Sequence, residues 1–166
     1  DYFDESIDGN VNVTLSMRQP GSSIKPFVYA SAFAKGYTPE TIVYDARTQF
    51  STWCDPADVA SSTPPCYSPE NYDGIFAGPM TLRSALAQSK NIPAVKTLYL
   101  TSIKSAIEMI QSAGITTLND PDRFGLTLVL GGGEVTPLEL TAGYGVFANE
   151  GKRNPTTGIL RVEDKD

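Results

Sequence analysis

Arg18-Gln19-Pro20-Gly21-Ser22-Ser23-Ile24-Lys25-Pro26-Phe27-Val28-Tyr29 carries both the first long helix of this chain and its most reactive pair of side chains. Pro20-Gly21 ends a loop. From there the apolar positions Ile24, Phe27, Val28, Ala30 and Ala34 recur at helical spacing, Pro26 suits a first turn, and Gly36 is placed as a stop, so residues 22–35 are predicted as a helix with Ser22 at its entrance. A serine and a lysine three residues apart share one helix face. A lysine desolvated there serves as a neutral base that takes the proton of Ser22. Ser23 lacks such a partner, because the residue three ahead of it is Pro26. With fourteen Ser and seven Lys in the chain, a Ser-x-x-Lys match arises by chance roughly 0.6 times, so the pair needs support from its surroundings.

That support lies downstream. Helical periodicity returns over residues 81–88, breaks at Ser89-Lys90-Asn91-Ile92-Pro93, and resumes over 94–100 and again over 103–113, where Gly114 stops it. Residues 89–93 thus form a polar elbow between helices. There a hydroxyl and a carboxamide can face a cleft, Ser89 passing a proton and Asn91 holding a substrate amide. Residues 10–15 alternate polar and apolar and predict a half-buried strand with Val11, Val13 and Leu15 on one face. Residues 38–79 turn to Pro, Ser, Asp, Tyr and Gly and read as one long surface excursion containing Cys54 and Cys66. Within it Trp53, Tyr67, Tyr72 and Phe76 are expected to pack the loop down. Leu126 to Leu130 reads as a short extended run before Gly131-Gly132-Gly133. Thr136-Pro137-Leu138-Glu139 is a capping box opening a helix to about Asn149, and residues 159–162 suggest a late strand.

Composition narrows the chemistry. The 166 residues are 40% hydrophobic and 19% charged, which suits one globular domain. A net charge of −6 without a basic stretch argues against nucleic acid and against an anionic membrane surface. The absence of histidine excludes Ser-His-Asp and Cys-His catalysis and any His-ligated metal, and two cysteines cannot build a four-thiolate site. No cofactor or metal is expected. No apolar run reaches the length of a membrane span, so no membrane contact by this stretch itself is expected. The sequence starts at Asp1 without an initiator Met and stops in a charged run, and both ends read as cut from something longer.

Taken together, residues 18–29, the run Gly78-Pro79-Met80-Thr81-Leu82-Arg83-Ser84-Ala85-Leu86-Ala87-Gln88-Ser89-Lys90-Asn91-Ile92-Pro93-Ala94-Val95, and the run from Gly131 through Asn149 resemble, in order, the transpeptidase domain of class A (bifunctional) penicillin-binding proteins. The resemblance implies an α/β (α+β type) fold shared with serine β-lactamases, helices flanking an antiparallel sheet. It makes Ser22 the acylated nucleophile, Lys25 its general base, Ser89 a further catalytic group and Asn91 a substrate-binding one. Lys90 fills a variable position, and the Tyr72-Asp73-Gly74 turn is structural. It also implies peptidoglycan stem peptides and β-lactam antibiotics as ligands, a glycosyltransferase domain in the full-length chain, and an extracytoplasmic location anchored by a segment outside this sequence. Because the family works outside the cytoplasmic membrane, Cys54 and Cys66 are expected to form a disulfide.

One departure stands out. The family's third motif, Lys-Thr-Gly or Lys-Ser-Gly on a strand lining the cleft, does not occur in the 166 residues. Thr156-Thr157-Gly158 lacks the cation and reads as a turn. Residues 1–166 are therefore expected to be a C-terminally incomplete transpeptidase (penicillin-binding) domain. Two other functions stay in play. A serine β-lactamase is disfavoured because a Glu-x-x-Leu-Asn string is absent, and a non-catalytic β-lactam sensor or inactive truncated scaffold would keep the helices without the third motif. Glu108, Glu134 and Glu139 are not needed: Glu139 belongs to the capping box and the others to solvated faces.

Overall fold

A computed structural model describes residues 2–164. Five α-helices and one two-stranded sheet are joined by short 3-10 turns: α1 (Lys25–Ala34), β1 (Ile42–Asp45), β2 (Gly78–Thr81), α2 (Leu82–Ala87), α3 (Asn91–Thr101), α4 (Ile103–Ser112) and α5 (Pro137–Ala148). Helix α3 is buried over most of its surface, with only Tyr99 and Leu100 near its end exposed. Ile92, Ala94, Val95 and Leu98 are all fully buried, as expected of a helix at the centre of a core rather than on its surface. Helix α1 packs across it with Phe27, Val28, Tyr29 and Ala32, and α4 packs on both, mainly on α1, turning Ala106, Ile107 and Ile110 inward while Lys104 and Glu108 face water.

Local chemistry sets the ends of these helices. Thr81 closes β2 and caps α2, its Oγ1 accepting from Ser84 N at 3.1 Å. Ser102 separates α3 from α4 and caps the latter through Ser105 N. The predicted capping box at α5 forms on one side, with Thr136 Oγ1 accepting from Glu139 N at 3.2 Å. The Glu139 carboxylate turns to Thr116 instead, accepting from its N at 3.1 Å and its Oγ1 at 2.6 Å.

The strands lie elsewhere than the alternation of residues 10–15 suggests. β1 and β2 pair antiparallel in the register Ile42↔Thr81, Val43↔Met80, Tyr44↔Pro79 and Asp45↔Gly78, so the two ends of the long excursion hold each other. Residues 10–15 carry a 3-10 turn at Val13–Leu15 with Val11, Val13 and Leu15 exposed. Among the described residues no strand pairs with them, and an Asn12 side chain accepting from Thr14 N and Oγ1 at 3.1 and 2.6 Å curls the backbone locally. Leu126–Leu130 likewise forms a 3-10 turn, not an extended run, because its Leu128 and Val129 reach the core by coiling. Residues 159–162 are exposed, and among the described residues they pair with no strand. The antiparallel, helix-flanked class stands, built on different strands.

Cys54 and Cys66 are bridged, with Cα atoms 5.5 Å apart. The loop they close is organised by Gln49, whose Oε1 accepts from Ser51 N and Tyr67 N while its Nε2 donates to the carbonyls of Asp58 and Ser61. Tyr67 packs on Phe50, and Phe76 lies under the Arg47 guanidinium. Trp53 and Tyr72 do not pack down: both stay exposed, the first at 85%.

Candidate active site

The predicted nucleophile sits in a turn gripped from outside. Gly21–Ile24 is a 3-10 turn feeding straight into α1, so Ser22 stands in a first turn where backbone N–H groups lack intrahelical acceptors. Gly21 takes φ +56° and meets the backbone of Gly131, itself at φ +91°. A Cβ on Gly131 would lie 2.3 Å from Gly21 N, so only glycine permits this approach. Arg18 and Val135 exchange two backbone hydrogen bonds of 2.9 Å just before the turn, and Tyr144 Oη donates to Ser23 O at 2.7 Å just inside it. Ser22 is exposed. Ser23 is not free to compete, since its Oγ donates to Pro20 O at 2.5 Å.

Lys25, the first residue of α1, is only 1% exposed. Its Nζ donates toward Ser89 O at 2.7 Å, Asn91 Oδ1 at 2.8 Å, Ser89 Oγ at 3.2 Å and Lys90 O at 3.4 Å. Every one of these acceptors is neutral. Burial without a counter-charge disfavours the ammonium and brings the Lys25 pKa down from 10.5 to about 8. A neutral amine in this position keeps two N–H bonds, to Ser89 O and Asn91 Oδ1, and turns its lone pair toward a hydroxyl.

Ser89 presents those acceptors by taking a left-handed conformation, φ +54°, between α2 and α3. For a residue with a side chain this backbone is strained and is held by its neighbours. Ser89 N donates to Leu86 O and Lys90 N to Ala85 O, both at 3.0 Å, which fold the elbow back on α2. Asn91 Nδ2 donates to Glu70 O at 2.8 Å. Lys90, buried like a core residue, donates through Nζ to Asp73 Oδ2 at 2.8 Å and Ile75 O at 3.1 Å. That hydrogen bond holds the Asp73 carboxyl below the usual carboxylate range.

Gly21, Ser22, Tyr72, Ser89, Asn91 and Leu130 line one open cleft of about 410 Å³. The helices carrying the Ser-x-x-Lys and Ser-x-Asn strings therefore meet on a common hollow, with the lysine beneath it. Over residues 8–165 the sequence matches the family described as penicillin binding protein transpeptidase domain. The chain belongs to the penicillin-binding-protein transpeptidase family. It is 39% identical over 164 residues to penicillin-binding protein 1A of Neisseria flavescens, covering 99% of this chain and 19% of that protein. The crystal structure of penicillin-binding protein 1A from Haemophilus influenzae, 34% identical, superposes with a TM-score of 0.68 over 82% of this chain and 19% of the other. The PonA1 protein of Mycobacterium tuberculosis in complex with penicillin V, at 18% identity and a TM-score of 0.71, shares the fold. This chain thus spans about a fifth of the length of the penicillin-binding proteins 1A it matches.

Within this transpeptidase fold three of the four predicted site residues, Lys25, Ser89 and Asn91, are joined directly. Ser22 shares their cleft, but among the described residues its Oγ has no hydrogen-bond partner and Lys25 Nζ is turned to the elbow instead. Glu108 and Glu134 are exposed and take part in none of these contacts. Thr156-Thr157-Gly158 is exposed irregular chain with a bend at Gly158 in place of the expected turn, and among the described residues no strand follows it. Sequence reasoning missed two features. Lys90, read as a variable position, is a buried anchor, and Asp45 and Asn71, read as loop, lie under the elbow. The signal for Asp45 was available in principle: it ends a short β-branched and aromatic run, Ile42-Val43-Tyr44, inside the excursion.

Proposed function

We propose that this chain supplies the nucleophile half of a peptidoglycan D,D-transpeptidase site that is also acylated by β-lactams. The observation that carries the reading is Lys25 Nζ, buried under the cleft that Ser22 lines and bonded only to neutral atoms of Ser89, Lys90 and Asn91. Ser22 Oγ attacks the penultimate D-alanyl carbonyl, Lys25 takes the hydroxyl proton, and Ser89 relays it to the departing D-alanine amine. The resulting acyl-enzyme is resolved by an amine of a neighbouring stem peptide. The Ser22 backbone N–H is one donor to the developing oxyanion. Asn91 retains one N–H and one lone pair beyond its bonds to Glu70 and Lys25 for a substrate amide. An extracytoplasmic location and a glycosyltransferase domain elsewhere in the protein accord with this reading.

On this proposal the chain is a partial transpeptidase domain, lacking the strand that brings the third motif. The missing Lys-Thr-Gly or Lys-Ser-Gly favours a second reading, in which the chain as it stands binds β-lactams without turnover or is inactive. Losing one oxyanion donor typically costs about 100- to 1,000-fold in rate. The test is labelling with a fluorescent penicillin, followed by mapping of the modified peptide. A chain extended through a third motif should be labelled at Ser22, the 166-residue chain at least 100-fold more slowly. Ser22→Ala should abolish the label and Ser23→Ala should leave it. Label retained in Ser22→Ala removes the nucleophile assignment, and equal rates in the two chains remove the need for the third motif.

A further inference from the structure

The elbow is stabilised from beneath by two residues that never reach the cleft. Asp45, at the end of β1, is fully buried. Its Oδ1 accepts from Asn71 Nδ2 at 2.7 Å and its Oδ2 from Ala77 N at 3.0 Å. Asn71, 5% exposed, uses its second amide N–H on Ile75 O at 2.8 Å. Its Oδ1 accepts from Asn91 N at 2.8 Å and Ile92 N at 3.4 Å. All four hydrogen-bonding positions of the Asn71 amide are filled.

This arrangement solves a local problem. Helix α3 starts after Lys90, whose side chain offers no capping oxygen, and the first N–H groups of a helix must find acceptors. Asn71 caps the helix from twenty positions earlier in the chain. A carboxylate can only accept, so Asp45 obliges Asn71 to turn its NH₂ downward and its carbonyl up to α3. The group that donates this bond is the backbone N–H of Asn91, the residue whose side-chain Oδ1 holds Lys25. The chain of contact is therefore continuous from β1 to the amine.

We infer that Asp45 and Asn71 are positioning residues for the Lys25, Ser89 and Asn91 constellation, setting the height of the elbow over the lysine and thereby the dryness of its site. The inference rests on the proposed role of Lys25, but it is read out on the lysine itself and not on turnover. With the cap removed, the elbow lifts and water reaches Nζ. Since burial is what lowers the Lys25 pKa, its titration must then move up toward the ordinary lysine value.

The experiment is a pH titration of the Lys25 Cε methylene by NMR in the 166-residue chain, assigned with Lys25→Arg, beside thermal unfolding. Asn71→Ala should raise the midpoint by about one pH unit or more, a tenfold loss of neutral amine at neutral pH. Asp45→Asn should do likewise by freeing the Asn71 amide to flip. The exchanged pair Asp45→Asn with Asn71→Asp keeps an acceptor for Ala77 N, a bond between the two side chains and a cap for α3, and should recover at least half of the change. A core-thinning variant far from the cleft, Ile110→Val, should lower the melting temperature without moving the midpoint. Should Asn71→Ala not fold, Asn71→Ser gives the same comparison. A midpoint within about 0.3 pH unit of the parent in Asn71→Ala, an equal shift in Ile110→Val, or no recovery in the exchanged pair overturns the inference. Loss of the Ser22 assignment in the penicillin-labelling test would leave this outcome unaffected, so the two failures are distinguishable.

Discussion

Replacing Asn91 by Asp changes one heavy atom and inverts the electrostatics around Lys25. Asn91 Oδ1 lies 2.8 Å from Lys25 Nζ, and the other acceptors of the amine are two carbonyls and a hydroxyl. With the Lys25 pKa at about 8, about one lysine in ten is neutral at pH 7, some 300-fold more than at the ordinary 10.5. A carboxylate at that distance favours the ammonium and raises the pKa by about 1 to 3. Neutral amine at pH 7 then falls by about 10- to 1,000-fold. Acylation by fluorescent penicillin, measured below saturation in a chain extended through the third motif, should rise about tenfold per pH unit in the parent and level off above about pH 8. In Asn91→Asp the same climb should continue past pH 9 and regain much of the lost rate there. An unshifted limb in Asn91→Asp, or a parent profile flat from pH 6 to 9, would refute the assignment of Lys25 as the general base.

Three further outcomes are expected. Gly131→Ala sets a Cβ 2.3 Å from Gly21 N at φ +91°, which forces the nucleophile turn to shift, so Ser22 labelling should drop at least about 100-fold, the scale on which small misplacements act, while circular dichroism stays native. Cys54→Ser with Cys66→Ser opens a loop of twelve-residue separation and should cost about 3 kcal/mol in urea unfolding by the chain-entropy estimate, with no change at Lys25. Lys25 also makes stability depend on alkaline pH: its folded pKa lies below its unfolded one, so between about 8 and 10.5 the unfolded chain binds more protons and stability should rise with pH. That rise should vanish in Lys25→Met, as unfolding titrations from pH 7 to 11 would show.

The sequence alone was enough for what depends on short spacings. The periodicity of residues 22–35, 81–88 and 103–113, the breaks after Gln88 and at Ser102, and the Thr136 cap are properties of a few consecutive residues, and the helices lie close to where they are expected, except that the break expected over 89–93 narrows to Ser89 and Lys90 because α3 already starts at Asn91. Ser22 and Lys25 stand out at a helix entrance and Ser89 and Asn91 in a polar break between helices, supported by the resemblance in motif order, and the fold brings all four to one hollow. Tertiary structure decided what depends on partners. Residues 10–15 alternate like a strand but curl, because a strand needs a neighbour and Asn12 offers a nearer hydrogen bond. Residues 42–45 and 78–81 become strands because they find each other across 32 intervening residues. The spacing of Ser22 and Lys25 was readable but not the turn of Lys25 toward Ser89 and Asn91, and Lys90, Asp45 and Asn71 gained their contacts only when the loop folded under the elbow. Periodicity records which face of a segment is buried; the identity of the atoms waiting there is set by chain closure over tens of residues, which no local pattern encodes.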